Sequence, residues 1–219
     1  VKHTEVQGKF NRSPNAEYYK IIRTETNVAP SENASSLKIG IDTTFTDIGL
    51  QPNTTYYYWV FAYQSLNCSG IRPIYNTVPI TANATTLPCT FPSSTVNIGS
   101  TGAFTTLGAA LNSIKINGAS GAIVLQLQPS YNPTLETYPV FFLFSIPCMN
   151  DTNTLTIRPG ASVASVKNLT SSDTLGTFIF DSGSYFIFDG RPGGAGTNKY
   201  IQIENTSLSG NAIFLKNKS

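Results

Sequence analysis

Residues 177–215 read TFIFDSGSYFIFDGRPGGAGTNKYIQIENTSLSGNAIFL, and this stretch decides the fold of the second half of the chain. Brief apolar runs alternate here with turns rich in Gly, Asn, Ser and Asp. The runs recur after roughly eight to fourteen residues, a spacing too short for crossover helices. Such spacing is typical of the coils of a parallel β-solenoid, in which every coil contributes inward side chains to one stacked core.

Upstream of these coils the pattern predicts one short helix and then further strands. Leu107, Ala110, Leu111 and Ile114 recur at the i, i+3, i+4, i+7 spacing of an amphipathic helix. Thr105 or Thr106 can cap its start, and Gly118 lies where a glycine in the left-handed backbone conformation would end the helix. We expect no other helix in the chain. The strands predicted after it are Ala122–Leu127, Leu155–Ile157, Thr177–Phe180, Tyr185–Phe188, Lys199–Ile203 and Ala212–Leu215.

The first half has the pattern of an all-β sandwich, with β-branched and aromatic runs separated by Asn, Pro, Gly and Ser. Its predicted strands are Tyr18–Thr24, Ser36–Ile39, Thr44–Asp47, Thr55–Tyr63 and Tyr75–Thr81. The uncharged, proline-containing segment that follows predicts a boundary. We therefore expect a sandwich over 1–88 whose first strands are cut short, a linker over 89–94, and a solenoid over 95–219 that is truncated at its C-terminal end.

Composition excludes several classes of function. Fourteen Lys and Arg against twelve Asp and Glu give a net charge of +2, which argues against nucleic-acid binding. No apolar run reaches the ~20 residues of a membrane span, so we expect no membrane insertion. One His and three Cys argue against a Cys/His metal site, and we expect no cofactor. Ser, Thr and Asn make up about a third of the chain and give it a polar, uncharged surface.

The motif Leu50-Gln-Pro-Asn-Thr-Thr-Tyr56, followed by Val60 and Ala62, resembles the late strands of fibronectin type III domains. Every position of the family pattern Leu-x-Pro-x-Thr-x-Tyr-x-x-x-Val-x-Ala is matched. The resemblance implies a β-sandwich in which Tyr56 forms the tyrosine corner, its phenol oxygen bonded to the backbone of the preceding loop.

The second half resembles the start of a pectate-lyase-like right-handed parallel β-helix. The resemblance is carried by Phe104-x-x-Leu-x-x-Ala-Leu-Asn112, Gly121-x-Ile-Val-Leu-x-Leu127 and Leu155-Thr-Ile-Arg-Pro-Gly160. Residues 186–194, 201–207 and 210–215 are similar to coils of very large surface proteins of gliding and other Bacteroidota. Those proteins combine both kinds of module and are typically exported by the type IX system.

Together the two resemblances imply a non-catalytic structural and adhesive segment of a secreted cell-surface protein, and therefore an extracellular location. The implied partners are other domains of the same long chain and extracellular polysaccharide or surface ligands, with self-assembly as a further option.

An enzymatic alternative stays open, in which the chain is an accessory module joined to the first coils of a polysaccharide lyase or glycoside hydrolase. Such enzymes use clustered aspartates with Ca²⁺ and a basic residue, or paired carboxylates with a raised pKa. The local candidates are Asp181, Asp189 and Arg191. The same residues also have the composition of turns, in which Asp accepts from its own backbone.

A third hypothesis is a carbohydrate-binding module. If Tyr56, Tyr58, Val60 and Ala62 point inward, the two-residue period of a strand places the intervening side chains on the other face. Those side chains are Tyr57, Trp59, Phe61 and Tyr63. They form either a stacking platform for a sugar or partner, or a face covered by neighbouring side chains or another domain.

Three cysteines allow at most one internal disulfide, and we expect Cys89 to pair with Cys148 rather than with Cys68.

Asn-x-Ser/Thr sequons occur throughout a chain this rich in Asn, Ser and Thr, for example at Asn205. The Bacteroidota resemblance implies O-linked sugars instead, at Thr43 and Thr174. We also expect Asn205 and Asn211 to stack as a ladder, and His3 to be solvated.

Overall fold

A computed structural model describes residues 1–31, 33–64, 74–75, 78–143, 146–181 and 183–216. The chain divides into two compact units, Val1–Pro88 (unit 1) and Cys89–Ser219 (unit 2). Strands dominate both units, and one α-helix lies in unit 2 within the described ranges. The prediction of a mostly β chain with a single helix is confirmed for these residues.

Unit 1 consists of antiparallel strands in two sheets. The strands are β1 (Glu5–Lys9), β2 (Tyr18–Thr24), β3 (Lys38–Gly40), β4 (Thr44–Ile48), β5 (Thr55–Gln64), β6 (Ile74–Tyr75) and β7 (Ile80–Thr85). One sheet pairs β1 with β4, and the other has the order β3-β2-β5, with β6 and β7 both paired to the far edge of β5. The predicted strand Tyr75–Thr81 is corrected to β6 and β7. Strand β1 was missed because Gln-Gly-Lys carries little β-propensity.

The core of unit 1 contains a buried charge. Asp47 is 2% exposed and accepts from Arg23 Nη1 (3.0 Å) and from the Tyr58 hydroxyl (2.9 Å). The Arg23 guanidinium also lies 5.3 Å from the centre of the Tyr56 ring. Burial and the Asp47 carboxylate raise the pKa of Tyr58, so its hydroxyl stays a donor. The Tyr56 hydroxyl in turn accepts from the Gln51 backbone N–H at 2.9 Å.

Unit 2 is built from parallel strands. They are β8 (Thr95–Ile98), β9 (Ile123–Leu127), β10 (Val140–Leu143), β11 (Leu155–Pro159), β12 (Lys167–Ser171), β13 (Gly176–Asp181), β14 (Phe186–Phe188), β15 (Ile201–Asn205) and β16 (Asn211–Lys216). They form three sheets, which we call the first (β8-β9-β11-β14), the second (β12-β15) and the third (β10-β13-β16). From β11 on, the chain visits the first, second and third sheets in turn and then repeats the cycle through β14, β15 and β16, which gives unit 2 a β-helix-like form. The earlier strands β8, β9 and β10 belong only to the first and third sheets.

The register stacks apolar side chains between coils. Val96 pairs with Leu125, Leu125 with Ile157, and Ile157 with Phe188, at the ~4.8 Å spacing of adjacent strands. In the third sheet Phe142 pairs with Phe180, and their rings stack at 4.4 Å. Strand β12 escaped prediction because its sequence, Lys-Asn-Leu-Thr-Ser, has only one large apolar residue.

The helix α1 (Leu107–Asn117) buries the four apolar residues that predicted it. Thr106 is the N-cap, accepting from Ala109 N, and Gly118 ends the helix with φ 66°. Glu136 adds a second cap from a distant loop: its carboxylate accepts from the N–H groups of Leu107 and Gly108 and from the Tyr131 hydroxyl. A carboxylate is favourable at this end of a helix because the helix dipole is positive there.

Residues 89–94 are not a free linker. Phe91 is 7% exposed and forms a parallel bridge with Ala119, and Cys89 forms a disulfide with Cys148. The Cys89 sulfur lies against Gly118, where a Cβ would meet it. The segment expected as a linker is therefore the first packed piece of unit 2. Cys68 lies outside the described residues.

Candidate functional site

Unit 2 carries a row of polar side chains on the outer face of the first sheet. Each follows an inward apolar residue on a successive coil: Asn97 after Val96, Gln126 after Leu125, Arg158 after Ile157 and Asp189 after Phe188. Asn97 pairs with Gln126, and Gln126 with Arg158. The Asp189 N–H donates to the Ile157 carbonyl (3.0 Å) and continues this register onto the next coil. We call these four residues, with Gln128, the polar ladder.

Hydrogen bonds orient the amide groups of the polar ladder. Gln128 Nε2 donates to Asn97 Oδ1 at 2.7 Å, and Arg158 Nη2 approaches Gln126 Oε1 at 3.5 Å. The absence of a side chain at Gly160 makes space for these amides, since a Cβ there would lie 3.2 Å from Gln128 Nε2 and 3.5 Å from Gln126 Nε2. The ladder thus presents planar donor and acceptor groups, one coil apart.

Arg158 is the member of the polar ladder with a buried hydrogen-bond donor that has no acceptor among the described residues. Its Nε is buried and has no hydrogen-bond partner within the described ranges. Gly194 comes close to its other end, because a Cβ at that glycine would lie 2.6 Å from Arg158 Nη1. The guanidinium is held by close packing and keeps hydrogen-bonding capacity unused.

Asp189, one of the predicted acidic residues, is part of a local turn. Its carboxylate accepts from Arg191 Nε (2.8 Å), Arg191 Nη2 (2.9 Å) and the Arg191 backbone N–H (3.1 Å). These bonds hold the pKa of Asp189 below its usual range and raise the pKa of Arg191. A carboxylate held ionised in this way can accept hydrogen bonds but is a poor proton donor.

Asp181 lies on a different sheet from Asp189. It ends β13, where its Oδ2 is 3.7 Å from Lys216 Nζ and its buried Oδ1 has no partner among the described residues. The structure therefore brings Asp189 and Arg191 together and leaves Asp181 on the third sheet.

The aromatic face of β5 is covered at its centre, which agrees with the second of the two alternatives that the sequence left open. Trp59 and Phe61 are 7% and 6% exposed and form one cluster with Ile22, while Tyr57 and Tyr63 are half-buried. Ala34, from the connection between β2 and β3, packs against this cluster. The rings do share one face, as the strand period predicts, but Trp59 and Phe61 have no open surface for a sugar.

The remaining predicted residues lie at separate places. Thr174 is exposed and Thr43 is half-buried, so the two predicted O-glycosylation positions differ in access.

Asn205 Nδ2 donates to the Asp173 carbonyl of the preceding coil (2.9 Å) and to the Asn211 backbone carbonyl (3.3 Å). Asn205 ends β15 of the second sheet and Asn211 begins β16 of the third, so the two residues do not lie in one column, which corrects the expectation of a ladder. His3 is buried, 7% exposed, with its Nδ1 3.2 Å from the Leu87 carbonyl oxygen, which corrects the expectation of a solvated residue.

No cluster of three His, Cys, Asp or Glu residues suited to a metal ion occurs in the part of the chain that the structure describes. Within the same ranges, no helix has both the length and the hydropathy needed to cross a membrane.

The sequence prediction missed four of the five ladder residues, Asn97, Gln126, Gln128 and Arg158. Their partners lie about thirty residues apart in sequence, so their proximity depends on coil register. A usable signal exists in retrospect: one polar residue follows the same inward apolar position in Val96-Asn97, Leu125-Gln126, Ile157-Arg158 and Phe188-Asp189.

No protein-family model and no curated protein sequence matches the chain. Among solved structures it is similar to a family 28 exopolygalacturonase of Yersinia enterocolitica, with 14% identity and a TM-score of 0.29, over 84% of this chain and 30% of that one. The chain thus spans less than a third of that enzyme. The β-helix-like description of unit 2 depends on its own strand pairing.

Proposed function

We propose that this chain is a non-catalytic structural and adhesive segment of a larger secreted cell-surface protein, and that it binds extracellular polysaccharide along the polar ladder. In this proposal unit 1 is a fibronectin type III-like sandwich, and unit 2 is the N-terminal part of a right-handed parallel β-helix. An extracellular location and export by a type IX system belong to the same proposal.

The fibronectin type III-like assignment is supported by unit 1 itself. Its antiparallel strands form two sheets that share one core, from Val6 on β1 to Val60 on β5. The Tyr56 hydroxyl accepts from the Gln51 backbone N–H, which is the bond expected of a tyrosine corner.

The observation that carries the binding proposal is the polar ladder. Two amides, a guanidinium and a carboxylate lie on four successive coils, at the ~4.8 Å repeat of paired strands. A sugar chain along the solenoid axis would meet one planar polar group per coil, with both donors and acceptors for its hydroxyls. Rigid strands fix these groups before binding, which lowers the entropic cost of association.

Affinity electrophoresis of the full chain in gels cast with xylan, mannan, pectin or alginate tests this proposal. We expect at least one polymer to retard the chain, and the double variant Gln126→Ala/Arg158→Ala to weaken that retardation about tenfold. The matched control is Asn168→Ala/Gln202→Ala, which removes an exposed polar pair in register on the second sheet. Equal retardation of the two double variants would place the binding surface elsewhere.

A second candidate is polysaccharide cleavage, favoured by the register that places Arg158 next to Asp189 on consecutive coils. A reducing-end assay on the same polymers tests it, comparing the chain with Asp189→Asn. We expect no product from either protein, because the low pKa of Asp189 does not suit an acid catalyst. Product that disappears in Asp189→Asn would favour the enzyme.

The proposal of a larger parent protein has its own test. Denaturing electrophoresis with peptide mapping of the native polypeptide in its source should give a mass far above 23.6 kDa. A native mass close to this value would contradict it.

A further inference from the structure

A groove of about 340 Å³ lies between helix α1 and strand β10 in unit 2. Its floor is formed by Leu111, Val140, Phe142 and Ile146, all at most 5% exposed. The volume falls within the range of small-molecule sites, and the lining is predominantly apolar, as is usual for such sites. Gly108, with no side chain, keeps the N-terminal end of the helix wall open.

The helix wall of the groove is electrically asymmetric. At the Gly108 end the Glu136 carboxylate is fully engaged by two backbone N–H groups and the Tyr131 hydroxyl. At the other end lies Lys115, seven residues further along α1 and therefore ~10 Å away.

Two exposed polar side chains rim this cationic end. The Lys115 ammonium and the Asn112 amide make no hydrogen bond or ion pair to any residue that the structure describes. Lys115 is the only charged residue lining the groove within these ranges.

We propose that this groove binds a small amphiphilic anion, an alkyl carboxylate, with its carboxylate at Lys115 and Asn112 and its alkyl chain along Leu111 and Val140 toward Gly108. Charge complementarity decides the class of ligand, because the apolar floor has a cation at one end and no free carboxylate. It also sets the orientation, since the Glu136 carboxylate already takes up the N–H groups at the start of α1, whereas the Lys115 ammonium offsets the partial negative charge at the end of the helix. The site is separate from the polar ladder and does not depend on the proposed polysaccharide binding.

The test is a titration of the full chain with decanoate and with decanol, both below their aggregation concentrations, followed by the methyl NMR signals of Leu111, Val140 and Ile146. We expect both probes to shift these signals, with decanoate binding about threefold to fivefold more tightly, as a solvent-exposed ion pair provides. Lys115→Ala should abolish this preference while leaving decanol binding intact. Lys199→Ala, a matched exposed lysine, should change neither.

A second variant separates the groove from the charge. Gly108→Leu should block the groove and abolish binding of both probes, while helix content by circular dichroism is retained because leucine favours helix over glycine. A Cβ at this position lies 3.4 Å from Glu136 Oε2, an ordinary contact.

Three results would overturn the proposal: equal affinities for the two probes, shifts confined to other methyl groups, or a decanoate preference that survives Lys115→Ala. A dimer in sedimentation that Gly108→Leu dissociates would also overturn it, since the occupant would then be a second copy of the chain.

Discussion

Units 1 and 2 are both built from strands, but they specify their cores by different means. Unit 1 relies on a single, unrepeated polar interaction: the buried Asp47 carboxylate, which accepts hydrogen bonds from Arg23 and Tyr58. Unit 2 repeats one interaction many times, because each coil places an apolar side chain on the same column, as in Leu125, Ile157 and Phe188. A sandwich can thus depend on single residues, whereas a solenoid distributes its stability over its coils and needs protection mainly at its terminal coils.

This difference can be measured because the two units can be followed separately. Trp59 is the only tryptophan of the chain and lies buried in unit 1, where its Nε1 donates to Thr24 Oγ1 (2.8 Å). Its fluorescence reports the unfolding of unit 1. Hydrogen exchange of β9 and β11 amides reports the opening of unit 2.

The largest effect should come from opening the disulfide of unit 2. Cys89 and Cys148 are separated by 59 residues, and closing a loop of this size stabilises a fold by about 4 kcal/mol in the chain-entropy model. The variant Cys89→Ala/Cys148→Ala should therefore accelerate exchange in β9 and β11 by roughly three orders of magnitude. The urea midpoint of Trp59 fluorescence should not move; a parallel loss in unit 1 would mean that the two units unfold as one.

Removing the buried charge of unit 1 should have the next largest effect. We expect Asp47→Ala to lower the free energy of unfolding of unit 1 by about 2–4 kcal/mol, because it leaves Tyr58 and Arg23 without their acceptor. The matched control is Asp42→Ala, which breaks a pair with Lys38 whose Asp42 side chain is 60% exposed, and it should cost under about 1 kcal/mol. Similar losses in the two variants, read by Trp59 fluorescence in urea, would refute a special role for the buried pair.

The cap of helix α1 offers a smaller and local test. Glu136→Gln removes the negative charge and leaves one acceptor oxygen where the carboxylate uses two, so an NH2 group would face the N–H of either Leu107 or Gly108. We expect unit 2 to lose about 1–2 kcal/mol. Exchange of the first-turn amides of α1 should accelerate more than exchange in β11. Uniform acceleration throughout unit 2 would indicate a global rather than a capping role. Glu17→Gln, on unit 1, serves as the control.

The smallest effect concerns pH. Burial, and secondly the Glu136 carboxylate, raise the pKa of Tyr138 to about 12, above the ordinary value near 10. A raised folded-state pKa stabilises the fold fully below pH ~10, and this contribution falls as pH rises from about 10 to 12, because the unfolded chain ionises first. Tyr138→Phe should therefore flatten the decline in unit 2 stability over this window. An unchanged slope in hydrogen exchange corrected for intrinsic rates would contradict it.

The sequence alone predicted local features well. The apolar period and caps of α1, and the alternation along β5, depend on neighbouring residues and were right to within a few positions. The covered aromatic face of β5 was one of two alternatives, and the sequence did not identify what covers Trp59 and Phe61. Ala34, which packs there, comes from a connection with no strand or helix pattern. The polar ladder was missed for a related reason, since Arg158 meets Gln126 only through a coil register about thirty residues long. Long-range pairing, rather than local propensity, limited the prediction.

The bridge between Cys89 and Cys148 also has a mechanical meaning. When the two ends of the chain are pulled apart, tension that enters unit 2 at Cys89 crosses directly to Cys148 and bypasses the residues between them. Helix α1 and strands β8 to β10 lie in this bypassed segment. About 200 Å of contour length therefore stays shielded from the load. Only the coils beyond Cys148 can then unfold under force, so unit 2 would extend from its C-terminal side while the disulfide holds its first coils together.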